Sequence, residues 1–141
     1  MLIIYKGSRP LFPLLACDIH LEKQSEATET IALLYKSDWD WRSEPMKIVG
    51  IDNLGHKICC LVHGKYGEMY DRALSGIADI FQLDRRIIDV DQIVVKSTGI
   101  CPWEISCLDL FPWLNYYYNE KKNDIIAALR PYIVQEAGDN R

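Results

Sequence analysis

The sequence predicts one three-layer α/β domain spanning residues 1–141, built on a mixed, mostly parallel β-sheet. Three observations support this prediction: an apolar strand at the start is followed by a Gly-containing turn and a helix, strands and helices then alternate, and one pair of strands is joined by a tight turn. At this length a chain buries roughly 68–70% of its unfolded surface, enough for one core.

The first strand is predicted at residues 2–5, which are wholly apolar and therefore typical of a strand covered on both faces. Residues 6–10 form the following turn. The first helix is predicted to continue to about residue 23 and to direct Leu14, Leu15 and Ile19 toward the core.

A second helix is predicted over residues 26–36, with Ser25 as its N-cap and apolar residues at helical spacing. Residues 37–45, which include Trp39 and Trp41, are predicted to form a loop with two aromatic anchors.

A hairpin is predicted next, with strands at 47–51 and 58–63 and a turn at 52–55 whose Asn and Gly tolerate positive φ. Helix 68–81 follows, because Tyr70, Leu74, Ile77 and Phe81 recur at core-facing spacing.

The β-branched residues 93–95 predict a last strand, which residues 97–99 end. A final helix is predicted from about residue 120 to 135, and Pro131 should kink or divide it. Pro102 and Pro112 limit any long helix between these elements, so the structure of residues 100–118 stays open.

Composition excludes several classes of protein. Sixteen basic and twenty acidic side chains give a net charge of −4, which disfavours binding to nucleic acid. No apolar run approaches a membrane span, and the N-terminus lacks the pattern of a secretory signal. We therefore expect a cytoplasmic protein with neither nucleic acid nor membrane as partner. Its five cysteines are then expected to be reduced thiols.

The first strand–helix loop is the leading candidate site, because ligands of α/β proteins bind where strands end and helices begin. Lys6 and Arg9 could hold a small anionic ligand, with Gly7 giving flexibility and Ser8 a hydroxyl. Ser97 and Cys101 would lie at the same sheet edge. The alternative is a solvated loop, since Pro10 and Pro13 lack the N–H groups that would face an anion.

Other chemistry is less well specified. The loop lacks the Walker pattern, and it lacks the cysteine nucleophile of low-molecular-weight tyrosine phosphatases. No cysteine or histidine spacing predicts a metal site, and no cofactor is indicated. Cys101, before a proline, is the best-placed thiol for a nucleophile, but whether the protein is an enzyme stays open.

Residues 103–118 contain six of the fifteen aromatic residues. They either cap the sheet core or form an interface for a protein partner or a second copy of the chain. The candidate interface residues are Trp103, Phe111, Trp113 and Tyr117.

The order of short motifs at 3–5, 16–21, 50–55 and 72–76 resembles an uncharacterised bacterial family of about 150 residues, a domain of unknown function found mainly in spore-forming bacteria. The resemblance implies no activity. The first loop of that family is richer in Gly, whereas this chain has Lys6, Arg9 and Pro10 there. The resemblance therefore does not support a ligand role for this loop in the present chain.

Overall fold

The computed structural model describes residues 1–21, 40–100, 123–133 and 135. Within these ranges, four strands and four helices follow one another along the chain. They are β1 (Leu2–Gly7), α1 (Leu11–His20), β2 (Met46–Ile51), β3 (Lys57–Val62), α2 (Gly67–Phe81), β4 (Arg85–Asp89), α3 (Val90–Thr98) and α4 (residues 123–133).

The strands form one sheet in the order β2-β3-β1-β4. The central strand β1 pairs in parallel with both β3 and β4, and β2 pairs antiparallel with β3 at one edge. The predicted mixed, mostly parallel sheet and the predicted hairpin are thereby confirmed. The hairpin turns at residues 52–55, where Gly55 has a φ of +81°.

Side chains of β1 alternate between two packed clusters. Ile3 and Tyr5 belong to the larger cluster, with apolar residues of α1, α3 and α4, whereas Ile4 packs with Tyr70 and Leu74 of α2. Helices thus contact both faces of the sheet. The full three-layer arrangement stays a prediction, because the predicted helix 26–36 lies outside the described residues.

The predicted strand at 93–95 is wrong, since these residues lie within helix α3. The strand is β4, which ends at Asp89, and the Asp89 side chain caps α3 by accepting a hydrogen bond from the N–H of Gln92. Val90 and Val94, one helical turn apart, are fully buried, and Gly99 ends the helix with a φ of +70°. Tertiary burial therefore overrides the β propensity of this valine-rich segment.

Helix α2 forms where predicted, but its buried face differs from the prediction. Tyr70 and Leu74 pack on the sheet and Ala78 is buried, whereas Ile77 and Phe81 are 49% and 68% exposed. The second half of this helix therefore presents apolar side chains outward.

Helix α4 packs Ile125, Leu129 and Ile133 into the larger cluster, and Pro131 lies within it. No helix in the described ranges is long and apolar enough to cross a membrane.

Gly7 at the end of β1 lies against α1 so closely that a side chain would not fit. A Cβ atom there would lie 2.6 Å from Cγ of Pro13 and 2.7 Å from Oδ1 of Asp91. We expect Gly7→Ala to lower the free energy of unfolding by about 1–3 kcal/mol, measured by urea denaturation, because the core must shift to admit the methyl group.

Gly76→Ala is the matched control, because a Cβ at Gly76 would meet nothing within 4 Å. Gly76 lies inside α2, so this variant should be more stable by about 0.5–1 kcal/mol. Equal effects of the two substitutions would contradict the close packing at Gly7.

Candidate functional site

The candidate site lies at the edge of the sheet where β1, β3 and β4 end, which we call the carboxyl edge. The three strands are parallel, and the pairing of Lys6 with Leu61 and Asp89 places their ends side by side. Each of the three strands is followed by the start of a helix, which is the usual position for a ligand in an open α/β sheet.

Lys6 is the most enclosed cation at this edge, with its side chain 12% exposed. Its Nζ donates to both carboxylate oxygens of Asp71, at 2.9 and 2.7 Å, and lies 3.7 Å from Oδ2 of Asp89. The charge of Lys6 is therefore balanced by two carboxylates of the protein itself. Lys6 links α2 to the ends of β1 and β4.

Ser8 gives its hydrogen-bond donors to a carboxylate in the same way. Its backbone N–H and its hydroxyl both donate to Oδ2 of Asp91, at 2.8 and 2.7 Å. Asp91 belongs to the first turn of α3. An internal carboxylate thus occupies both donors of Ser8.

Arg9 is directed to a different partner from that of its neighbours. Its guanidinium carbon lies 5.3 Å from the centre of the Trp41 ring, and that of Arg42 lies 5.2 Å from the same ring. Trp41 packs against the larger core cluster and lies 3.8 Å from the position of a Cβ on Gly64, just beyond β3. Two guanidinium groups therefore converge on one aromatic ring at the carboxyl edge.

His63 follows β3 at the same edge. Its backbone N–H donates to the carbonyl of Gly7 at 3.0 Å, which holds the β1 and β3 ends together. Its Nδ1 lies 2.8 Å from the carbonyl of Gly64 and so carries a proton, since a carbonyl only accepts.

The other predicted site residues lie elsewhere or outside the described ranges. Ser97 is exposed near the end of α3, which begins at the carboxyl edge; at 1.5 Å per residue it lies about 10 Å along the helix from Val90. Ser97 therefore lies away from the β1–α1 loop. Five further predicted residues lie outside the described ranges: Cys101, Trp103, Phe111, Trp113 and Tyr117.

Asp91 and Arg42 were not among the predicted site residues. The signal for Asp91 was its position two residues after Asp89, in the first turn of the helix that follows a strand. Arg42 had a weaker signal, its place beside one of the predicted aromatic anchors. Neither could be connected to the first loop without the strand order.

The described cysteines are core residues. Cys17, Cys59 and Cys60 are free thiols and fully buried. Burial, together with the neighbouring Cys60, raises the pKa of Cys17 well above its usual value, and burial also raises the pKa of Cys59. Both thiols therefore stay protonated, which makes them poor nucleophiles. Among the described residues, no group of three His, Cys, Asp or Glu side chains has the geometry of a metal site.

A second polar cluster connects α1 to the hairpin. The hydroxyl of Tyr5 lies 2.7 Å from Nδ1 of His20, and Nε2 of His20 lies 3.1 Å from Oδ2 of Asp52. A neutral His20 with its proton on Nε2 satisfies both contacts, since Tyr5 then donates and Asp52 accepts. Nδ1 of His56 lies 3.0 Å from the same Asp52 oxygen. Tyr5 is fully buried, so this cluster stabilises the core rather than meeting a ligand.

Comparison with family models, with curated proteins and with solved structures finds no significant match to this chain. The carboxyl edge must therefore be interpreted from its own geometry. The resemblance to a bacterial family of unknown function stays a prediction.

The polar cluster predicts a pH-dependent contribution to stability. Burial raises the pKa of Asp52, but the hydrogen bond to His20 and the backbone N–H groups of His56 and Leu54 outweigh it, and the pKa falls to about 2. Because the folded-state pKa is lowered, this stabilisation is present above about pH 4 and is lost as the pH falls toward 2.

We expect Asp52→Asn to lower the free energy of unfolding by about 1–3 kcal/mol at pH 7, and the difference from the original protein to shrink as the pH falls below 4. Urea denaturation at a series of pH values measures this. Asp79→Asn, at a carboxylate that is 77% exposed, is the control and should change little. A constant difference across the pH range would contradict the assignment.

Proposed function

We propose that this protein binds a small anionic ligand at the carboxyl edge, with Arg9 and Arg42 as the groups that hold the anion. The observation that carries the proposal is the convergence of these two guanidinium groups on Trp41, one from the β1–α1 loop and one from the segment before β2. Guanidinium groups match phosphate and carboxylate in shape and charge, and a cation–π contact with the Trp41 ring limits the motion of each.

The surrounding charges support this assignment of roles. Asp71 and Asp89 are engaged by Lys6, and Asp91 accepts from Ser8, so these three carboxylates have partners within the protein. Asp40 binds the backbone N–H of Arg42 and the hydroxyl of Ser43, which shapes the turn that carries Trp41. Lys6 and Ser8, both expected to contact the anion, donate instead to carboxylates of the protein itself.

The test is titration with sulfate, which keeps its charge across the useful pH range, by isothermal calorimetry or by NMR. Each of the substitutions Arg9→Gln and Arg42→Gln should weaken sulfate binding by about tenfold, since a charge-assisted hydrogen bond contributes about 1.5–3 kcal/mol.

Arg72→Gln is the matched control for net charge, because Arg72 is 79% exposed on α2 and pairs with Glu68. It should bind sulfate as the original protein does. An equal loss of affinity in all three variants, or no loss in the first two, would contradict the proposed site.

A second candidate function, protein interaction, is favoured by exposed apolar side chains on the α2 side of the sheet. In the β2–β3 pair, Met46 lies opposite Leu61 and Ile48 lies opposite Cys59. Leu61 and Cys59 face α2, and side chains directly opposite each other lie on the same face of a sheet, so Met46 and Ile48 lie on the α2 face. Beside them the second half of α2 exposes further apolar residues. The exposed set is Met46, Ile48, Met69, Ile77, Ile80 and Phe81.

For this candidate we propose self-association as a homodimer. Ile80→Glu should convert a dimer to a monomer in size-exclusion chromatography with light scattering, because Ile80 is 76% exposed and a charge there opposes apolar contact. Leu54→Glu, in the exposed hairpin turn, is the control and should leave the dimer intact. A monomeric original protein would exclude this candidate.

We also propose, as a separate interface for a protein partner or a second copy of the chain, the aromatic residues Trp103, Phe111, Trp113 and Tyr117.

A further inference from the structure

The β1–α1 loop has anion-binding donors, but the protein supplies the anion. Loop N–H groups between a strand end and a helix start are a favourable place for a negative charge. Here the N–H and the hydroxyl of Ser8 both donate to one carboxylate oxygen of Asp91, at 2.8 and 2.7 Å. Ser8 directly precedes Arg9 in the same loop.

The carboxylate of Asp91 is only half satisfied in this position. Oδ2 accepts both hydrogen bonds, whereas Oδ1 is buried and has no hydrogen-bond donor among the described residues. Oδ1 instead lies against Gly7, where a Cβ would approach it to 2.7 Å. A buried carboxylate oxygen without a donor is unfavourable, so the contact between Asp91 and Ser8 is held at a cost.

We propose that Asp91 is a built-in competitor for the anionic ligand, holding the Ser8 donors until the ligand takes them or Asp91 becomes protonated. This inference rests on the proposed function, because the ligand it concerns is the anion held by Arg9 and Arg42. Asp71 and Asp89, by contrast, face Lys6 and not the Ser8 donors.

The surroundings of Asp91 favour its protonated form more than those of an exposed aspartate. Burial raises its pKa, the hydrogen bonds from Ser8 oppose the rise, the negative charge of Asp89 adds to it, and nearby His63 opposes it. Pro13 of α1 is packed beside it across Gly7 and carries no charge. Lys6 contacts Asp71 and Asp89, and Arg9, Arg42 and Asp40 lie around Trp41 at the same edge. Sulfate affinity should therefore increase as the pH is lowered.

Asp91→Asn tests the proposal, because the amide keeps the shape of the carboxylate and removes its charge. At pH 7 this variant should bind sulfate about tenfold more tightly than the original protein, which corresponds to about 1.4 kcal/mol. Its affinity should also lose the pH dependence. Asp79→Asn makes the same change of net charge on an exposed part of α2 and should have little effect.

Two further measurements test the proposal, one without sulfate and one without the imidazole of His63. Without sulfate, the NMR signal of the Ser8 amide should titrate with pH in the original protein and stay constant in Asp91→Asn. In His63→Gln the pH dependence of sulfate affinity should persist, because the titrating group is Asp91. A Ser8 amide that does not titrate would overturn the proposal.

The result also separates this inference from the proposed function. If sulfate binding requires Arg9 and Arg42 but Asp91→Asn binds no more tightly than the original protein, the competitor role is wrong and the site stands. If Asp91→Asn binds more tightly whether or not Arg9 and Arg42 are replaced, the proposed site is wrong, and the competitor role for an anion held by those two residues is wrong with it. Failure of Asp91→Asn to bind any sulfate would overturn both.

Discussion

The parallel pairing of β1 with both β3 and β4 is the constraint on which the rest of the structure depends. It brings three strand ends, and the starts of three helices, to one edge of the sheet. Residues distant in sequence become neighbours there: Lys6 meets Asp71 across 65 positions, and Ser8 meets Asp91 across 83. The antiparallel strand β2 extends the sheet on the opposite side of β3 and leaves this edge open.

The charges at this edge fall into two groups with different roles. In the first group, Lys6 and Ser8 contact three carboxylates of the protein, which are Asp71 of α2, Asp89 of β4 and Asp91 of α3. The other group is the pair of guanidinium groups at Trp41. Because Lys6 and the Ser8 donors are already engaged by these carboxylates, the proposed ligand binding depends on the second group and on how firmly Asp91 keeps the Ser8 donors.

Local patterns predicted much of the fold and little of the site. The strand–turn–helix start, the hairpin at 52–55 and helix α2 each follow from a short-range signal, and the structure bears them out. The prediction of a strand at residues 93–95 was wrong because it rested on β propensity alone, whereas the Asp89 cap and the burial of Val90 and Val94 favour a helix. Gly7 and Ser8 were among the predicted site residues. In the structure both lie next to Asp91, and this contact depends on the strand order, which sequence spacing does not reveal.

The most direct test of the central claim, that Arg9 and Arg42 hold an anion at Trp41, is a crystal structure of the protein grown in selenate, with the selenium located by anomalous scattering. We expect an anomalous peak between the two guanidinium groups at the carboxyl edge, within hydrogen-bond distance of at least one of them. Well-ordered arginines with no peak there, or peaks only at other parts of the surface, would contradict it.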